Sequence, residues 1–270
     1  MTTRYLDRPD GRLAYEETGD PSGPLVVASP GMGDLRSTFD RLAAHLAASG
    51  TRVVTTDLRG HGESSAGWPD YSVRAVADDL LALIHHLGGR AVLVGNSYSG
   101  SAAVVAAARD PQAVAGLVLA GAFVRDRPLG PVQRLMFGLL RLPWLGRRLW
   151  TAAAWPSFFA RKPADYRQRQ AELKRNLAEP GRYEAVVAMA SPGGHRATEP
   201  ELPKVQAPTL VIMGGKDPDF PDPAAEARFT ADAIGGQARV LMVDGVGHYP
   251  QTEAAELVGQ AVVEFVRKVA

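Results

Sequence analysis

Short apolar runs alternate along most of this chain with longer amphipathic segments. Runs rich in valine and leucine are typical of strands buried on both faces of a parallel sheet. The pattern predicts strands over residues 12–18, 25–28, 52–56, 91–94, 114–120, 209–213 and 239–243. It predicts helices over residues 38–49, 72–87, 99–108, 224–234 and 252–269. Strands that alternate with helices in this way favour an α/β fold with a mostly parallel sheet.

The alternation stops between residues 123 and 203, where the pattern predicts a helical insertion with helices over residues 131–142, 145–159, 165–177 and 182–190. We expect most of its large apolar side chains to pack within the insertion and against the core, and a few to line a pocket. This apolar set is Met136, Phe137, Leu140, Trp144, Trp150, Trp155, Phe158 and Phe159. Four arginines accompany it: Arg134, Arg141, Arg147 and Arg148. A membrane-interface helix has this composition, but we expect a solvated cationic face over a buried apolar one.

A strand, a sharp turn and a helix of small residues follow one another over residues 91–108, with Ser97 at the turn. The nucleophile elbow has this form, G-x-S-x-G, because strand and helix pass so close that the flanking positions must be small. Gly95 meets that requirement, and Ser99 stands where the second glycine is usual, followed by Gly100. The alternative is that Ser97 only caps the helix.

Other polar residues stand just beyond predicted strands, where parallel sheets bind their ligands. These are the loops over residues 29–33 and 57–64, then Asp217, and finally His248. Asp219 and Asp222 are alternative acids close to Asp217. We expect His61, which lies between glycines in a turn, to form structural hydrogen bonds rather than to act as a base.

Composition narrows the class of protein. Hydrophobic residues make up 46 % and charged residues 22 % of the 270 residues, and the net charge of +1 indicates no nucleic-acid partner. The chain has no cysteine, which excludes disulfides, a thiol nucleophile and cysteine-bound metals. The absence of cysteine fits a reducing compartment, so we expect a cytoplasmic protein. We see no signal region, no membrane span, no metal cluster and no cofactor motif. His85 and His86 are adjacent and do not share a helix face, so we expect a solvated helix end.

Taken together, these motifs resemble the α/β-hydrolase superfamily across essentially the whole chain. The matching residues are 30–32, 57–64, 95–100, 214–217 and 247–248, and the order Ser97, Asp217, His248 is that of the family. The resemblance implies an eight-stranded, mostly parallel sheet with a helical cap. The core would comprise residues 1–122 and 204–270, and the cap would comprise residues 123–203.

The resemblance also implies a role for each residue. Ser97 is the nucleophile, His248 the base that takes its proton, and Asp217, which fits the family's G-x-x-D pattern, holds the histidine. The backbone N–H groups of Tyr98, the residue after the nucleophile, and of Met32 form the oxyanion hole. In one departure, Pro30 stands where the family often has a histidine.

A serine at the elbow disfavours epoxide hydrolases and haloalkane dehalogenases, which carry aspartate there. We therefore expect a serine esterase that acts on a small, largely apolar ester, thioester or lactone, without a metal or another cofactor. Its substrate pocket is predicted to include Met136, Phe137, Trp155, Phe159 and Tyr249. Related acyl transfer or perhydrolysis, a C–C hydrolase, a non-hydrolytic cyclase or isomerase, and a ligand-binding protein remain open alternatives. The partner is a small acyl substrate, and the oligomeric state is left open.

Overall fold

One eight-stranded sheet forms the centre of the molecule. The structure, a computed structural model, describes residues 2–126, 131–191 and 194–270, without side-chain detail at 131–133, 136, 137 and 143. The strands are β1 (Arg4–Arg8), β2 (Gly11–Gly19), β3 (Leu25–Ser29), β4 (Arg52–Thr56), β5 (Ala91–Asn96), β6 (Val114–Ala120), β7 (Thr209–Gly214) and β8 (Ala238–Val243). Their order in the sheet is β1-β2-β4-β3-β5-β6-β7-β8.

The six strands from β3 to β8 run parallel, whereas β1 and β2 pair antiparallel at one edge. This confirms the mostly parallel sheet. The edge strand β1 was not predicted, because its residues are mostly exposed and polar and give no apolar run.

Helices cover both faces of the sheet. Those outside the insertion are α1 (Asp40–Ala48), α2 (Val73–Leu87), α3 (Tyr98–Arg109), α9 (Pro223–Ala233), α10 (Pro250–Glu253) and α11 (Ala255–Val269), and a 3₁₀ turn precedes α1. Neighbouring strand residues point to opposite faces. Val27 and Leu93 pack with α2 and α3, while Val26 and Val92 pack with α1 and α11. The central strands are therefore buried on both sides, as their unbroken apolar runs predicted.

Between β6 and β7 the chain forms helices, as the pattern predicted. They are α4 (Pro131–Leu140), α5 (Pro143–Leu149), α6 (Trp155–Ser157), α7 (Tyr166–Asn176) and α8 (Arg182–Met189), with a π-helical turn, Trp150–Ala154, that joins α5 to α6. Trp150, Trp155 and Phe159 are buried in one aromatic cluster. Trp144 is 67 % exposed, so the expectation that the arginine-rich stretch covers a buried apolar face is wrong at this position.

Within the described ranges, no helix is both long enough and apolar enough to cross a bilayer.

Candidate active site

Ser97 lies at the tip of a strained turn between β5 and α3. Its backbone has φ 53° and ψ −119°, and among the residues that the structure describes it is the one non-glycine residue with positive φ. Such strain persists only where the surroundings impose it. A Cβ at Gly95 would lie 2.7 Å from the backbone of Gly100, and a Cβ at Gly100 would lie 2.4 Å from the Cβ of Ala122. The elbow predicted from the sequence is therefore present, and both glycines are required by close packing.

Ser99, the departure from the second elbow glycine, ties the turn to the sheet. Its Oγ accepts a hydrogen bond from the backbone N–H of Asn96 (3.1 Å) and donates one to the carbonyl of Ser29 (2.5 Å), at the end of β3. Asn96 in turn donates from Nδ2 to the carbonyl of His248 (3.2 Å). The elbow is thus connected to the end of β3 and to the loop that carries His248.

The loop after β3 passes directly against the serine. A Cβ at Gly31 would lie 2.8 Å from the Cβ and 3.4 Å from the Oγ of Ser97, so only glycine fits there. None of the described residues accepts a hydrogen bond from the backbone N–H of Met32. Tyr98 is the first residue of α3, where N–H groups have no acceptor within the helix and the helix dipole favours negative charge. Neither of the N–H groups expected to form the oxyanion hole therefore has an acceptor among the described residues.

His61 holds this loop in place. Its Nε2 accepts a hydrogen bond from the backbone N–H of Gly33 (2.9 Å), so its Nδ1 carries the proton and donates to the carbonyl of Arg59 (3.0 Å). Burial lowers the pKa of His61 to about 4, which keeps it neutral. The structural hydrogen bonds expected of His61 are therefore present. His61, from the loop after β4, thus supports the loop after β3. Pro30 in that loop stands where related proteins often have a histidine.

His248 and Asp217 form a buried hydrogen-bonded pair beyond β8 and β7. Nδ1 of His248 lies 2.8 Å from Oδ2 of Asp217 and 3.5 Å from Oδ2 of Asp219. Both His248 and Asp217 are about 2 % exposed. A Cβ at Gly121 would lie 3.2 Å from both Oδ2 of Asp217 and Nδ1 of His248. This hydrogen bond leaves Nε2 of His248 as the imidazole nitrogen that can exchange a proton.

The electrostatics of this pair favour a charged imidazole. Burial by itself lowers the pKa of His248, but the carboxylates of Asp217 and Asp219 outweigh burial and raise it to about 9. Burial also raises the pKa of the Asp219 carboxyl to about 6, against the attraction of His248. The site therefore stabilises an imidazolium, which a histidine needs when it acts as a general base.

The other acids and histidines considered from the sequence lie elsewhere. Oδ1 of Asp222 accepts the backbone N–H of Ala225 (2.9 Å) and caps α9. His85 contacts the carboxylate of Asp110, whereas His86 contacts the hydroxyl of Tyr15. The two histidines therefore do not converge, as expected of a helix end.

Ligand atoms of Asp217, Asp219 and His248 lie within 4.8 Å of one another, close enough to hold a small cation. Because Nδ1 of His248 and Oδ2 of Asp217 already hydrogen-bond to each other, the arrangement serves first to hold the imidazole. That the protein needs no metal or other cofactor stays a prediction.

Aromatic rings surround His248. The ring of Phe158 lies 5.3 Å, that of Tyr249 5.4 Å and that of Phe123 6.0 Å from its imidazole. Tyr249 was among the predicted pocket residues. Trp155 and Phe159 pack with it in the buried aromatic cluster, with ring distances of 6.4 and 4.7 Å. The side chains of Met136 and Phe137, also predicted for the pocket, lie outside the described part of the structure.

His195 is a site neighbour for which the sequence carried no signal. Its ring stacks on Phe123 (5.3 Å) and meets the ring of Tyr98 edge-on (5.6 Å). Ser101 donates its only hydroxyl hydrogen to the carbonyl of Phe123, so it accepts from Nδ1–H of His195 (2.8 Å). Burial lowers the pKa of His195 to about 4. Its Nε2 is therefore a neutral hydrogen-bond acceptor close to the elbow.

A buried ion pair joins the helical insertion to the loop after β3. Nη2 of Arg169, on α7, lies 3.5 Å from Oδ2 of Asp34, and Nη1 of the same arginine donates to Oγ1 of Thr252 (3.2 Å). Burial raises the pKa of Asp34, against the attraction of Arg169. Trp150 adds a hydrogen bond from Nε1 to the carbonyl of Gly33 (3.0 Å). The insertion is thus fastened to the loop that carries Met32.

The fold is that of an α/β hydrolase. The chain belongs to the alpha/beta hydrolase family, whose family model matches residues 25–261. It is 32 % identical over 266 residues to the dihydrolipoyllysine-residue acetyltransferase component of the acetoin cleaving system of Pseudomonas putida. That alignment covers 96 % of this chain and 68 % of the relative.

Two solved structures share the fold over nearly the whole chain. The enol-lactonase from Burkholderia xenovorans LB400 has a TM-score of 0.80 and 26 % identity, and the alignment covers 98 % of this chain and 100 % of the other. A thermophilic esterase from Thermogutta terrifontis, with malate bound, has a TM-score of 0.78 and 29 % identity, covering 100 % and 99 %. Family membership supports a hydrolytic activity on a small substrate.

Proposed function

We propose that this protein is a serine hydrolase that cleaves a small, largely apolar ester, thioester or lactone through an acyl-enzyme. One observation carries the proposal: Ser97, in its strained turn, lies at the same edge of the sheet as the buried Asp217–His248 pair. The loop directly beside Ser97 also carries the backbone N–H of Met32, which has no acceptor among the described residues. The similarity to an enol-lactonase and to an esterase supports the same substrate class.

In the first half of the reaction, Oγ of Ser97 attacks the substrate carbonyl carbon and transfers its proton to Nε2 of His248. The carbonyl oxygen becomes an oxyanion, which accepts hydrogen bonds from the N–H groups of Met32 and Tyr98. Asp217 stabilises the imidazolium at Nδ1. The tetrahedral intermediate then collapses, the bond to the leaving oxygen or sulfur breaks, and His248 returns the proton to that atom.

In the second half, water attacks the acyl carbon of the ester formed on Ser97. His248 removes one proton from the water and delivers it to Oγ of Ser97 as the acyl–serine bond breaks. The products are a carboxylic acid and the alcohol or thiol released earlier, or one hydroxy acid from a lactone. No cofactor enters this balance.

The helical insertion, residues 123–203, acts in this proposal as a cap over a core of residues 1–122 and 204–270. The carbonyl of Phe158 accepts the backbone N–H of His248 (2.8 Å), and Trp150 is bonded to Gly33. The insertion therefore contacts both the histidine loop and the oxyanion loop. Phe158, Phe123 and Tyr249 supply apolar walls beside His248, which suits an apolar acyl group.

The test is turnover of p-nitrophenyl esters from acetyl to dodecanoyl, combined with labelling by a fluorophosphonate that reacts with activated serines. We expect wild type to hydrolyse a subset of these esters and to take up one label on the peptide containing Ser97. Ser97→Ala should lose label and turnover, with a fall in kcat on the order of 10⁶-fold.

Ser191→Ala, which removes an exposed serine hydroxyl of the insertion, is the matched control and should keep both properties. Equal turnover by Ser97→Ala and wild type would show that the nucleophile is misassigned. Folded wild type that hydrolyses no ester and takes up no label would contradict the proposal and favour a binding protein or a cyclase.

A further inference from the structure

Exposed apolar side chains and arginines lie close together in sequence on α4, on α5 and in the turn between them. Of the six large hydrophobic side chains that are exposed within the described ranges, three lie within ten residues of one another: Leu135 (65 %), Leu142 (48 %) and Trp144 (67 %). Singly scattered apolar side chains are normal on a protein surface, but a cluster indicates an interaction site. We call the set Arg134, Leu135, Arg141, Leu142, Trp144 and Arg148 the α4–α5 surface.

The spacing puts these residues on common faces. Residues three and four apart lie on one side of a helix. Arg134 and Leu135 are followed at that spacing by the exposed Gly138 on α4, and Trp144 and Arg148 are four apart on α5. Arg141 and Leu142, also exposed, lie in the two-residue turn that joins the helices.

Charge in this region is of one sign. Between residues 127 and 164 the sequence has seven of the protein's 30 lysines and arginines and none of its 29 aspartates and glutamates. Within the described part of the chain, no carboxylate pairs with Arg134, Arg141 or Arg148. The rest of the chain is therefore net acidic, and the excess positive charge surrounds the exposed leucines and tryptophan. If this surface packed against an apolar protein surface or bound a cationic partner, the arginines would have no counter-ions.

We propose that the α4–α5 surface binds an anionic phospholipid surface, with Trp144, Leu135 and Leu142 inserted at the headgroup level and the arginines on the lipid phosphates. Tryptophan and leucine flanked by arginine have the chemistry of an interfacial anchor, in which apolar burial and attraction to anionic lipid add. The helix α5 continues into Trp150, which donates a hydrogen bond to the loop beside Ser97. The α4–α5 surface therefore belongs to the segment that contacts the candidate active site. Lipid binding at this surface is independent of the reaction catalysed by the protein.

The protein carries its own reporter for the test. Of its four tryptophans, Trp68, Trp150 and Trp155 are buried, and Trp144 is exposed. We expect the tryptophan emission to shift to the blue when vesicles of phosphatidylcholine with 30 % phosphatidylglycerol are added, and lipids brominated near the headgroup should quench it. Pure phosphatidylcholine vesicles should bind at least tenfold more weakly, and 1 M NaCl, which screens charges beyond about 3 Å, should release the protein from the anionic vesicles.

Matched variants separate the apolar and the charged contributions. Leu142 and Leu257 are both 48 % exposed, so Leu142→Ser should lower the vesicle partition coefficient several-fold and Leu257→Ser should not. Replacing three arginines of the surface by glutamine should lower it roughly hundredfold, at about fivefold for each charge. These changes are Arg134→Gln, Arg141→Gln and Arg148→Gln, and the charge-matched control is Arg74→Gln, Arg90→Gln and Arg228→Gln, at exposed positions elsewhere.

Unchanged emission and no cosedimentation of wild type with anionic vesicles would overturn the proposal and leave a protein partner as the occupant. Equal losses in the surface and control variants would also overturn it, because binding would then follow total charge alone. Thermal unfolding curves followed by circular dichroism should be identical for all variants, which shows that folded proteins are compared.

Discussion

Nδ1 of His248 lies 2.8 Å from Oδ2 of Asp217, and both side chains are removed from solvent. A hydrogen bond in that position selects the tautomer that leaves Nε2 free and stabilises the imidazolium. We predict that Asp217→Asn lowers kcat for an ester by roughly 10³–10⁴-fold, because an amide stabilises the wrong tautomer. Steady-state kinetics on the best p-nitrophenyl ester measure this loss.

Two neighbouring acids serve as controls for that variant. Asp219→Asn should lower kcat by less than about tenfold, because its carboxylate lies 3.5 Å from the same nitrogen. Asp222→Asn should leave kcat unchanged, because Asp222 caps α9 and an asparagine caps equally well. A larger loss for Asp219→Asn than for Asp217→Asn would reverse the assignment.

The raised pKa of His248 sets the pH dependence. Neutral imidazole is the form that accepts the serine proton, so a pKa raised above the ordinary value of about 6.5 moves the rising limb of kcat/KM to higher pH. Asp219→Asn removes one of the negative charges that raise it, and we predict that the limb then moves toward lower pH. Profiles of kcat/KM from pH 5 to 10 for both proteins test this, and a wild-type limb at or below 6.5 would contradict it.

Gly31 faces the nucleophile too closely for any side chain. A methyl group there would lie 2.8 Å from the Cβ of Ser97, so Gly31→Ala must displace the loop that carries the Met32 N–H. Loss of one oxyanion donor costs roughly 10²–10³ in kcat, and we predict a loss in that range. Gly138→Ala is the control, since its added methyl group meets nothing within 4 Å. Wild-type kcat in Gly31→Ala would argue against this loop as part of the oxyanion hole.

His61 supports the loop after β3 by accepting a hydrogen bond from the backbone N–H of Gly33. We predict that His61→Ala lowers kcat/KM by about tenfold and lowers the free energy of unfolding by roughly 1–3 kcal/mol, because a buried N–H loses its acceptor. The pH profile should keep its shape, since burial keeps His61 neutral. Disappearance of the rising limb in His61→Ala would instead identify His61 as the base. Urea denaturation and pH profiles of the variant make the two measurements.

Much of this molecule follows from local sequence. The strands β3, β5 and β6 each contain an unbroken apolar run. Ser72 caps α2 by accepting a hydrogen bond from the N–H of Ala75 (3.3 Å), a contact between residues three apart. The elbow at Ser97 is local too, because a strand, a small-residue turn and a helix adjoin in sequence. The family and the mostly parallel sheet were predicted correctly because such signals span only a few residues.

Tertiary structure decided what depends on residues distant in sequence. The polar strand β1 forms by pairing with β2, and the contact of His61 with Gly33 joins two separate loops. Whether Asp217 or Asp219 meets His248 more closely depends on where β7 and β8 end in space. Trp144 was expected to be buried, but it is exposed. Periodicity predicts an apolar face of a helix but does not show what covers that face.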